Sequence, residues 1–313
     1  MNIMILGAGG PIGGALAKLF AVTGIHPLVN VSRRGGTMDG VNWVTGDRND
    51  PAGILALIKA HAIDTVIDFA GWDPAPSIAL INAIDGMLER YVFISSADVY
   101  RNHGLIHRKE TGPPNSGALN EESPLRSELY LYRGETPRAE DDPVKWFDTY
   151  DKIPIEAAVQ NMQTDWIICR LPMVYGSSEP SCRRFQWVER LMRSGKSQAE
   201  IPAAFLDWTL TYGHIKNTVS AIYSVVIHPD AGRQIFNITD HEPMTHLEWL
   251  AGFARIYNWH CDILPTDSLD NTIGQTIATL DVSVPLIISG AKLKDMLGIE
   301  AMFDLEYCLQ NGL

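Results

Sequence analysis

Three glycines near the N-terminus have the spacing of a phosphate-binding turn. Gly7, Gly10 and Gly13 lie between an apolar run at residues 3–6 and a segment of helical periodicity at residues 12–23. In such a turn the first glycine allows unusual backbone angles, the second lets the backbone approach a pyrophosphate, and the third lets the helix pack closely. The free N–H groups of the helix start face the phosphates, so the spacing predicts a dinucleotide site rather than a simple tight turn. The predicted contacts are Gly7, Gly10, Pro11, Ile12 and Gly13.

A pair of basic residues lies about 20 residues after the glycine turn, at the position that usually contacts the ribose of a bound dinucleotide. Ser32, Arg33 and Arg34 follow the second apolar run, and no Asp or Glu is there to accept a hydrogen bond from a ribose 2′-hydroxyl. Two guanidinium groups and a hydroxyl suit a 2′-phosphate instead. The sequence therefore favours NADP(H) as the cofactor, with NAD(H) as the alternative. Solvated loop charges are the other interpretation of Arg33 and Arg34.

The elements that would position this turn alternate along the N-terminal half. Short apolar runs predict buried strands at residues 3–6, 27–31, 41–45, 65–69, 91–94 and 166–171. Helical patterns separate these runs at residues 12–23, 50–60, 76–88 and 155–162. This alternation predicts an α/β fold built on a doubly wound parallel Rossmann sheet.

The pattern changes at two places. Residues 102–147 lack periodicity and are rich in Gly, Pro, Glu, Asn and Arg, which predicts a long loop or insertion acting as a lid or substrate wall, or else disorder. After Gly176 simple alternation ends, although helices are predicted at residues 184–193, 215–227, 247–259 and 292–297, and a strand at 235–238. We therefore expect a dinucleotide-binding domain at residues 1–175, which carries the insertion. Residues 176–313 would form a smaller, mainly substrate-binding lobe, part of which returns to the sheet.

Five segments follow one another in an order typical of one known family. They are the glycine turn, Gly46-Asp47-Arg48, Phe69-Ala70-Gly71, residues 94–100 (ISSADVY) and residues 171–176 (LPMVYG). In this order they resemble the extended short-chain dehydrogenase/reductase family, also called the NAD-dependent epimerase/dehydratase family, along most of the chain. The resemblance implies cofactor contacts by Asp47, Arg48, Phe69, Ala70, Gly71, Ser95, Pro172 and Val174. It also implies that Ser96 supplies the active-site hydroxyl.

The chemistry that this family implies needs a Tyr and, four residues later, a Lys, because an ammonium favours the phenolate of a group whose pKa is otherwise near 10. Tyr150 is the best match for the Tyr, but the fourth residue after it is Pro154. Lys152 would lie on the wrong face of a regular helix. Since Pro is favoured in the first helical turn, a helix beginning near Pro154 would leave Tyr150 and Lys152 ahead of it and able to point the same way. We hypothesise that Lys152 replaces the missing Lys; a surface charge is the alternative.

Four further residues are candidates to face a small-molecule substrate. Trp72 follows the cofactor-lining segment, and Ala97 follows the end of the active-site strand. Arg183 and Arg184 come shortly after the 171–176 segment. These arginines could clamp a phosphate or carboxylate, and a solvated helix start is an equal alternative.

The composition excludes several classes of function. The formal net charge of −12 disfavours a nucleic-acid partner and, more weakly, an anionic membrane surface. We see neither a run of about 18 apolar residues nor a signal-peptide pattern, so no membrane span and a cytoplasmic location are expected. The four cysteines form no CxxC pair and the nine histidines no HExxH motif, so no metal site is predicted. The family resemblance also implies a homodimer.

These observations predict an enzyme, an NADP(H)-dependent oxidoreductase or epimerase/dehydratase. Hydride would pass between the nicotinamide and a secondary alcohol or ketone, such as a nucleotide sugar or a secondary metabolite. Tyr150 would exchange a proton with the substrate oxygen, and Ser96 would orient that oxygen. Two alternatives stay open because fold does not determine function. One is a cofactor-binding regulatory or structural protein without redox turnover, and the other is a non-redox lyase or cyclase.

Overall fold

The computed structural model describes residues 1–24, 28–177, 180–270 and 272–313. The strands are β1 (Ile3–Leu6), β2 (Leu28–Ser32), β3 (Asn42–Thr45), β4 (Thr65–Asp68), β5 (Arg90–Ser96), β6 (Asp165–Leu171), β7 (Met173–Tyr175), β8 (Gln198–Pro202), β9 (Thr209–Leu210), β10 (Tyr212–His214), β11 (Gln234–Asn237), β12 (Met244–Thr245) and β13 (Asp262–Thr266). The α-helices are α1 (Pro11–Thr23), α2 (Pro51–Ala60), α3 (Pro74–Ile84), α4 (Arg101–Ile106), α5 (Ile153–Gln160), α6 (Gln186–Arg193), α7 (Ala203–Leu206), α8 (Ile215–Ile227), α9 (His246–Ile256), α10 (Thr272–Ile277), α11 (Ala291–Leu297) and α12 (Leu305–Gln310).

The main sheet has seven strands in the order β11-β6-β5-β4-β1-β2-β3. Every neighbouring pair in it is parallel. The predicted doubly wound parallel sheet is therefore confirmed. The strand order reverses direction at β1, so the carboxyl ends of β1 and β4 flank the crevice where such sheets bind ligands. The strand predicted at residues 27–31 corresponds to β2, and Pro27 lies outside the described residues.

Both faces of the sheet are covered by helices because both sides of its central strands are apolar. In β1, Ile3 and Ile5 belong to one buried cluster with α1 and α8. Met4 and Leu6, which alternate with them, pack in a second cluster with α2, α3 and α5. All four of these side chains are fully buried. This two-sided burial explains why the strands form short continuous apolar runs.

The C-terminal part contributes both to the sheet and to a second core. Helix α8 packs against α1, and β11 extends the sheet beside β6. The second core is formed mainly by side chains of α6, α7, α9 and α12, with three two-stranded sheets that pair β7 with β10, β8 with β13, and β9 with β12. The chain thus returns to the sheet through β11 after leaving it. The proposed boundary at residues 175 and 176 stays a prediction.

The segment at residues 102–147 is mostly irregular, as expected, but it is anchored at several points. It contains most of α4, a short helix that the sequence pattern did not predict, and a 3₁₀ turn at Lys145–Asp148. Single β-bridges join Leu119 to Ile288 and Tyr100 to Leu125. The insertion therefore connects the carboxyl edge of the sheet with the second core. Among the described residues, no helix has the length and apolar character needed to cross a membrane.

Candidate active site

The glycine turn after β1 forms a cradle of bare backbone. Gly7 has a φ of +89°, a conformation that other residues rarely adopt. A Cβ on Gly13 would lie 2.7 Å from the Gly7 carbonyl oxygen, so only glycine allows α1 to start so close to the strand. Gly10 caps α1 without a side-chain hydrogen bond, and Pro11 is the first residue of the helix. The uncapped helix start fits a pyrophosphate group.

A buried ion pair lies beneath the segment that follows β4. Arg48 Nη2 donates to Asp68 Oδ2 at 2.5 Å, and the Tyr91 hydroxyl donates to the same oxygen at 2.7 Å. Burial alone would raise the pKa of Asp68, but the Arg48 charge and these hydrogen bonds lower it. Asp68 Oδ1 accepts from the Ala70 N–H at 2.8 Å. The Arg48 guanidinium, expected to contact the cofactor, is therefore engaged in holding the Phe69-Ala70-Gly71 segment.

The predicted ribose-binding residues lie at the surface. Arg33 and Arg34 are exposed at the end of β2, while Ser32 is half-buried. The Ser32 hydroxyl donates to the Gly35 carbonyl at 2.9 Å. Asp47 is exposed, and its carboxylate accepts from a backbone N–H two residues later. The two guanidinium groups are placed to reach a ligand from solvent, and the serine hydroxyl helps to shape the turn.

Tyr150 meets Asp98 and Ser96 at the carboxyl end of β5. The Tyr150 hydroxyl donates to Asp98 Oδ2 at 2.7 Å, and both residues are buried. The Ser96 hydroxyl accepts from the Asp98 N–H at 3.2 Å and lies beside the Tyr150 hydroxyl. Burial, and then the negative charge of Asp98, raise the pKa of Tyr150 well above 10. The neutral phenol is therefore the stable form, whereas the family pattern implied an ammonium that favours phenolate.

Lys152 immediately precedes α5, which begins at Ile153, so Tyr150 and Lys152 both lie ahead of the helix. This is the condition under which the two side chains could point the same way. The buried Lys152 Nζ donates to the carbonyl oxygens of Gly71 at 2.7 Å and Ile94 at 3.0 Å. It lies 6.0 Å from the centre of the Tyr150 ring. Burial lowers the pKa of Lys152 to about 8. The ammonium thus ties the ends of β4 and β5 to the start of α5, next to Tyr150.

The insertion supplies site residues that the sequence analysis missed. The Tyr132 hydroxyl approaches Asp98 Oδ2 at 3.4 Å and lies 2.9 Å from His103 Nε2. The Arg126 Nε donates to the Asp98 carbonyl at 2.6 Å, and its guanidinium forms a buried ion pair with Asp151 at 3.2 Å. These contacts span 25 to 34 positions of the chain, so no local spacing signals them. Asp98 itself could have been noticed, because it lies within the 94–100 segment.

Ser95 faces away from the expected cofactor side. Its hydroxyl donates to Glu156 Oε1 at 2.5 Å, and Glu156 also pairs with Arg170 at 2.7 Å. Successive residues of a strand point to opposite faces, so Ser95 cannot share the orientation of Ser96. The Ser95 side chain therefore joins a buried ion pair under α5, and only its backbone remains for a cofactor.

The other predicted contacts are divided between the core and the surface. Ala97 and Val174 are buried in the two apolar clusters, and Pro172 lies buried between β6 and β7. Trp72 is 46% exposed, and its ring lies 5.0 Å from that of Trp146, which is 39% exposed and belongs to the insertion. The two rings lie beside Tyr150, since the Trp146 and Tyr150 centroids are 5.6 Å apart. This exposed aromatic pair borders the open side of the site.

The two arginines after β7 have different surroundings. Arg183 is paired with Glu189 at 2.5 Å, in a surface groove of about 170 Å³. Arg184 is exposed and close enough to Tyr132 and Tyr212 for its charge to act on their hydroxyls. Of the two, Arg184 is therefore better placed to approach a ligand bound at Tyr150.

The geometry so far combines an uncapped glycine turn with a hydroxyl, phenol and ammonium at the same sheet edge. Residues 3–85 match the model of the NAD dependent epimerase/dehydratase family. The resemblance seen in the sequence is confirmed for these residues. The matched residues run from β1 through α3 and include the glycine turn and the Phe69-Ala70-Gly71 segment.

Solved structures of that enzyme type share the fold of the whole chain. A dTDP-glucose 4,6-dehydratase from Bacillus anthracis in complex with NAD has a TM-score of 0.68 at 16% identity, with 100% of this chain and 95% of that chain covered. A UDP-glucose 4-epimerase from Thermus thermophilus, also with NAD, has a TM-score of 0.67 at 15% identity, with 100% of this chain and 97% of that chain covered.

A curated Arabidopsis thaliana protein, the chloroplast stem-loop binding protein of 41 kDa b, is 23% identical to this chain over 201 residues. That match covers 64% of this chain and 44% of the relative, so the chain spans less than half of that protein.

Proposed function

We propose that this protein is an NAD(P)-dependent enzyme of the epimerase/dehydratase type that acts on a secondary alcohol or ketone of a small molecule. The observation that carries the proposal is the meeting of Ser96, Tyr150 and Lys152 at the sheet edge that bears the glycine turn. A phenol, a hydroxyl and an ammonium at this edge are the groups that proton exchange beside a nicotinamide requires.

Each of these side chains has its own task in the proposed reaction. When bound at the turn, the nicotinamide cofactor supplies or accepts the hydride. Tyr150 exchanges the proton with the substrate oxygen, and the Ser96 hydroxyl holds that oxygen in place. The Lys152 ammonium opposes the cost of negative charge on the Tyr150 oxygen. It has three N–H donors, of which the Gly71 and Ile94 carbonyls take two, so one is left for a ligand.

A substrate panel tests the proposed activity. Purified protein with NAD⁺ or NADP⁺ is mixed with UDP-glucose, UDP-glucuronic acid and a set of secondary alcohols, and with reduced cofactor and ketones. We expect a change of absorbance at 340 nm, or isomerised or dehydrated sugar in the product mixture. Tyr150→Phe should lower the rate at least 100-fold, within the range that general acid–base groups contribute. Equal rates in wild type and Tyr150→Phe would contradict the proposal.

NADP(H) is the proposed cofactor, because Arg33 and Arg34 are exposed beside Ser32 where a 2′-phosphate would lie. The similar solved structures hold NAD, so the preference is a property proposed for this chain alone. Arg33→Ala should reduce the ratio of NADP⁺ to NAD⁺ affinity about tenfold or more, in line with the loss of one charged hydrogen bond. Lys59→Ala, which removes an exposed charge on α2, is the control and should leave the ratio unchanged. An unchanged ratio in Arg33→Ala would mean that NADP(H) is not selected here.

A second candidate is a cofactor-binding protein without redox turnover. The raised pKa of Tyr150 beside Asp98 favours it, because a phenol held neutral is a poor base. In that case the protein would bind dinucleotide, yet every compound of the panel would remain unconverted. A nucleic-acid role like the one in the name of the curated relative is not proposed, because this chain has a net charge of −12.

The proposed substrate is a nucleotide sugar or a secondary metabolite. If the hydride returns to the same molecule within one turnover, the outcome is epimerisation or dehydration; otherwise it is net oxidation or reduction. The cytoplasmic location and the homodimer remain predictions.

A further inference from the structure

We propose that Asp98 is the proton acceptor behind Tyr150, so that the pair removes a substrate proton without a free phenolate. This inference rests on the proposed function and adds to it a residue that acts through Tyr150. In the proposed step Tyr150 takes the proton of the substrate hydroxyl while it passes its own hydroxyl proton to Asp98.

The direction of the Tyr150 hydroxyl carries the argument. Its proton is donated to Asp98 Oδ2 at 2.7 Å, away from any substrate. The phenol oxygen therefore presents a lone pair, and not a proton, to a group that approaches from the side of Ser96. A tyrosine held in this way is arranged to accept a hydrogen bond from a substrate hydroxyl.

Asp98 has capacity left for the transferred proton. It is 6% exposed, and its Oδ1 is a buried oxygen without a hydrogen-bond partner among the described residues. The Asp98 backbone is fixed within the 3₁₀ turn Ala97–Val99, because Arg126 donates to its carbonyl at 2.6 Å and its N–H donates to the Ser96 hydroxyl at 3.2 Å. Four ionisable groups interact electrostatically with Asp98, and they are Tyr150, Lys152, Tyr132 and His107. Arg126 donates to the Asp98 carbonyl, and its charge also acts on Tyr132 and His107.

The alternative route through a free phenolate is opposed by the same surroundings. Burial and the Asp98 charge both act against a negative charge on Tyr150. The Lys152 ammonium lies 6.0 Å from the centre of the Tyr150 ring and donates to two backbone carbonyls. Concerted transfer to Asp98 avoids the phenolate, because the proton neutralises the charge already present on Asp98 while the hydride leaves, and Tyr150 stays neutral.

The step is balanced in protons and electrons. The O–H bond of the substrate alcohol breaks as the Tyr150 oxygen gains that proton. The O–H bond of Tyr150 breaks as Asp98 gains its proton. The electron pair of the C–H bond leaves the substrate carbon as hydride for an oxidised nicotinamide dinucleotide, and a ketone forms. Asp98 ends as a carboxylic acid next to Tyr132, whose hydroxyl contacts His103 at 2.9 Å.

The first experiment asks whether Asp98 and Tyr150 share a proton in the protein without ligand. Tyrosines labelled with ¹³C at Cζ are titrated by NMR, and the Tyr150 signal is assigned with Tyr150→Phe. In wild type the phenol should stay neutral beyond the pKa near 10 of free tyrosine, and its signal should respond in acid when Asp98 takes up a proton. Asp98→Asn should remove the acid response and lower the pH at which Tyr150 ionises. Asp98→Glu should restore the response, and Asp85→Asn, which removes a carboxylate at the end of α3, should behave as wild type.

The second experiment measures the pH dependence of oxidation for the first alcohol of the panel that wild type oxidises. The wild-type rate should not increase between pH 7 and pH 10, because the relay needs no free phenolate. In Asp98→Asn, Tyr150 must ionise first and burial still disfavours its phenolate, so the rate should drop by at least about 10³-fold at pH 7 and rise about tenfold per pH unit to pH 10 and beyond. A rate lowered by one factor at every pH would assign Asp98 a merely structural role and overturn the proposal.

The results that would contradict the proposed function differ from those that would contradict only the relay from Tyr150 to Asp98. If wild type neither oxidises an alcohol nor isomerises or dehydrates a sugar of the panel, the proposed function is contradicted and the relay falls with it. If wild type is active but the Tyr150 signal is the same in Asp98→Asn and wild type, only the relay is wrong.

Discussion

Lys152 shows how one buried residue connects the fold to the proposed chemistry. The sequence placed it two positions after Tyr150, and a regular helix would have separated the two side chains. Because α5 begins only at Ile153, both residues instead lie in the approach to the helix. The ammonium then bonds to carbonyls at the ends of β4 and β5. The hypothesis that Lys152 replaces the missing Lys gains geometric support from this and stays a proposal.

The pKa of Lys152 makes a prediction about stability. The folded protein loses the Lys152 proton at about pH 8, whereas the unfolded chain keeps it to about 10.5. Between these values the unfolded state binds more protons, so the contribution of Lys152 to stability rises with pH in this window. The free energy of unfolding of wild type should therefore gain on the order of 3 kcal/mol relative to Lys152→Met between pH 8 and 10.5. Urea denaturation of both proteins at several pH values measures this difference, and two parallel curves would contradict it.

At the scale of elements, the sequence pattern was sufficient where burial is two-sided and regular. The strands of the sheet and helices such as α8 have enough apolar residues to show a period, and they were predicted within a few residues. Elements as short as β9 and β12, with two residues each, have no period to detect. Helix α4 has six residues including Gly104, so its helical preference is weak, and its contacts in the second core stabilise it instead.

Helix α9 provides a prediction for acid conditions. Its first residue, His246, stacks on Phe205 with ring centres 4.1 Å apart and contacts the Tyr212 hydroxyl at 2.9 Å. Burial lowers the pKa of His246 to about 4, from an ordinary value of 6.5. Between pH 6.5 and 4 the unfolded state therefore binds more protons, and stability is lost as the pH falls through this range.

The comparison variant is His246→Phe, which keeps a ring against Phe205 but cannot be protonated. Its free energy of unfolding should decline less steeply than that of wild type as the pH falls from 6.5 to 4, with a difference on the order of 3 kcal/mol at the acid end. Denaturant titrations at matched pH values measure both proteins. A difference that does not change with pH would show that His246 is protonated equally easily in both states.

At the scale of the whole molecule, the fold of the insertion explains why some residues of the candidate site could not be predicted from the sequence. The glycine turn, Ser96, Tyr150 and Lys152 were identified because short segments carry their signals. Asp98 was included in such a segment without a role, and Tyr132 and Arg126 have no local signal at all. They reach the site because residues 102–147 fold back over the carboxyl edge of the sheet and bond to both cores. Long-range contacts of this kind depend on the complete fold, which motif spacing does not encode.

The insertion also changes the character of the candidate site. It adds Trp146 beside Trp72 at the open side, and it brings the Tyr132 hydroxyl to Asp98, which binds Tyr150. The similar solved structures share the fold, and the glycine turn lies within the matched segment 3–85, whereas Asp98, Tyr132 and Trp146 lie outside that segment. We therefore expect specificity to reside in the insertion and cofactor binding in the sheet.

Both proposals depend on the binding of a dinucleotide to the backbone at the start of α1, and calorimetry measures this binding. NAD⁺, NADH, NADP⁺ and NADPH are each titrated into the full chain. The account predicts saturable binding of at least one nucleotide. Gly13→Ala should abolish that binding, because the added Cβ would lie 2.7 Å from the Gly7 oxygen, whereas Gly9→Ala, which has open space around it, should fold and retain it. The absence of heat of binding for all four nucleotides in well-folded wild-type protein would contradict the account.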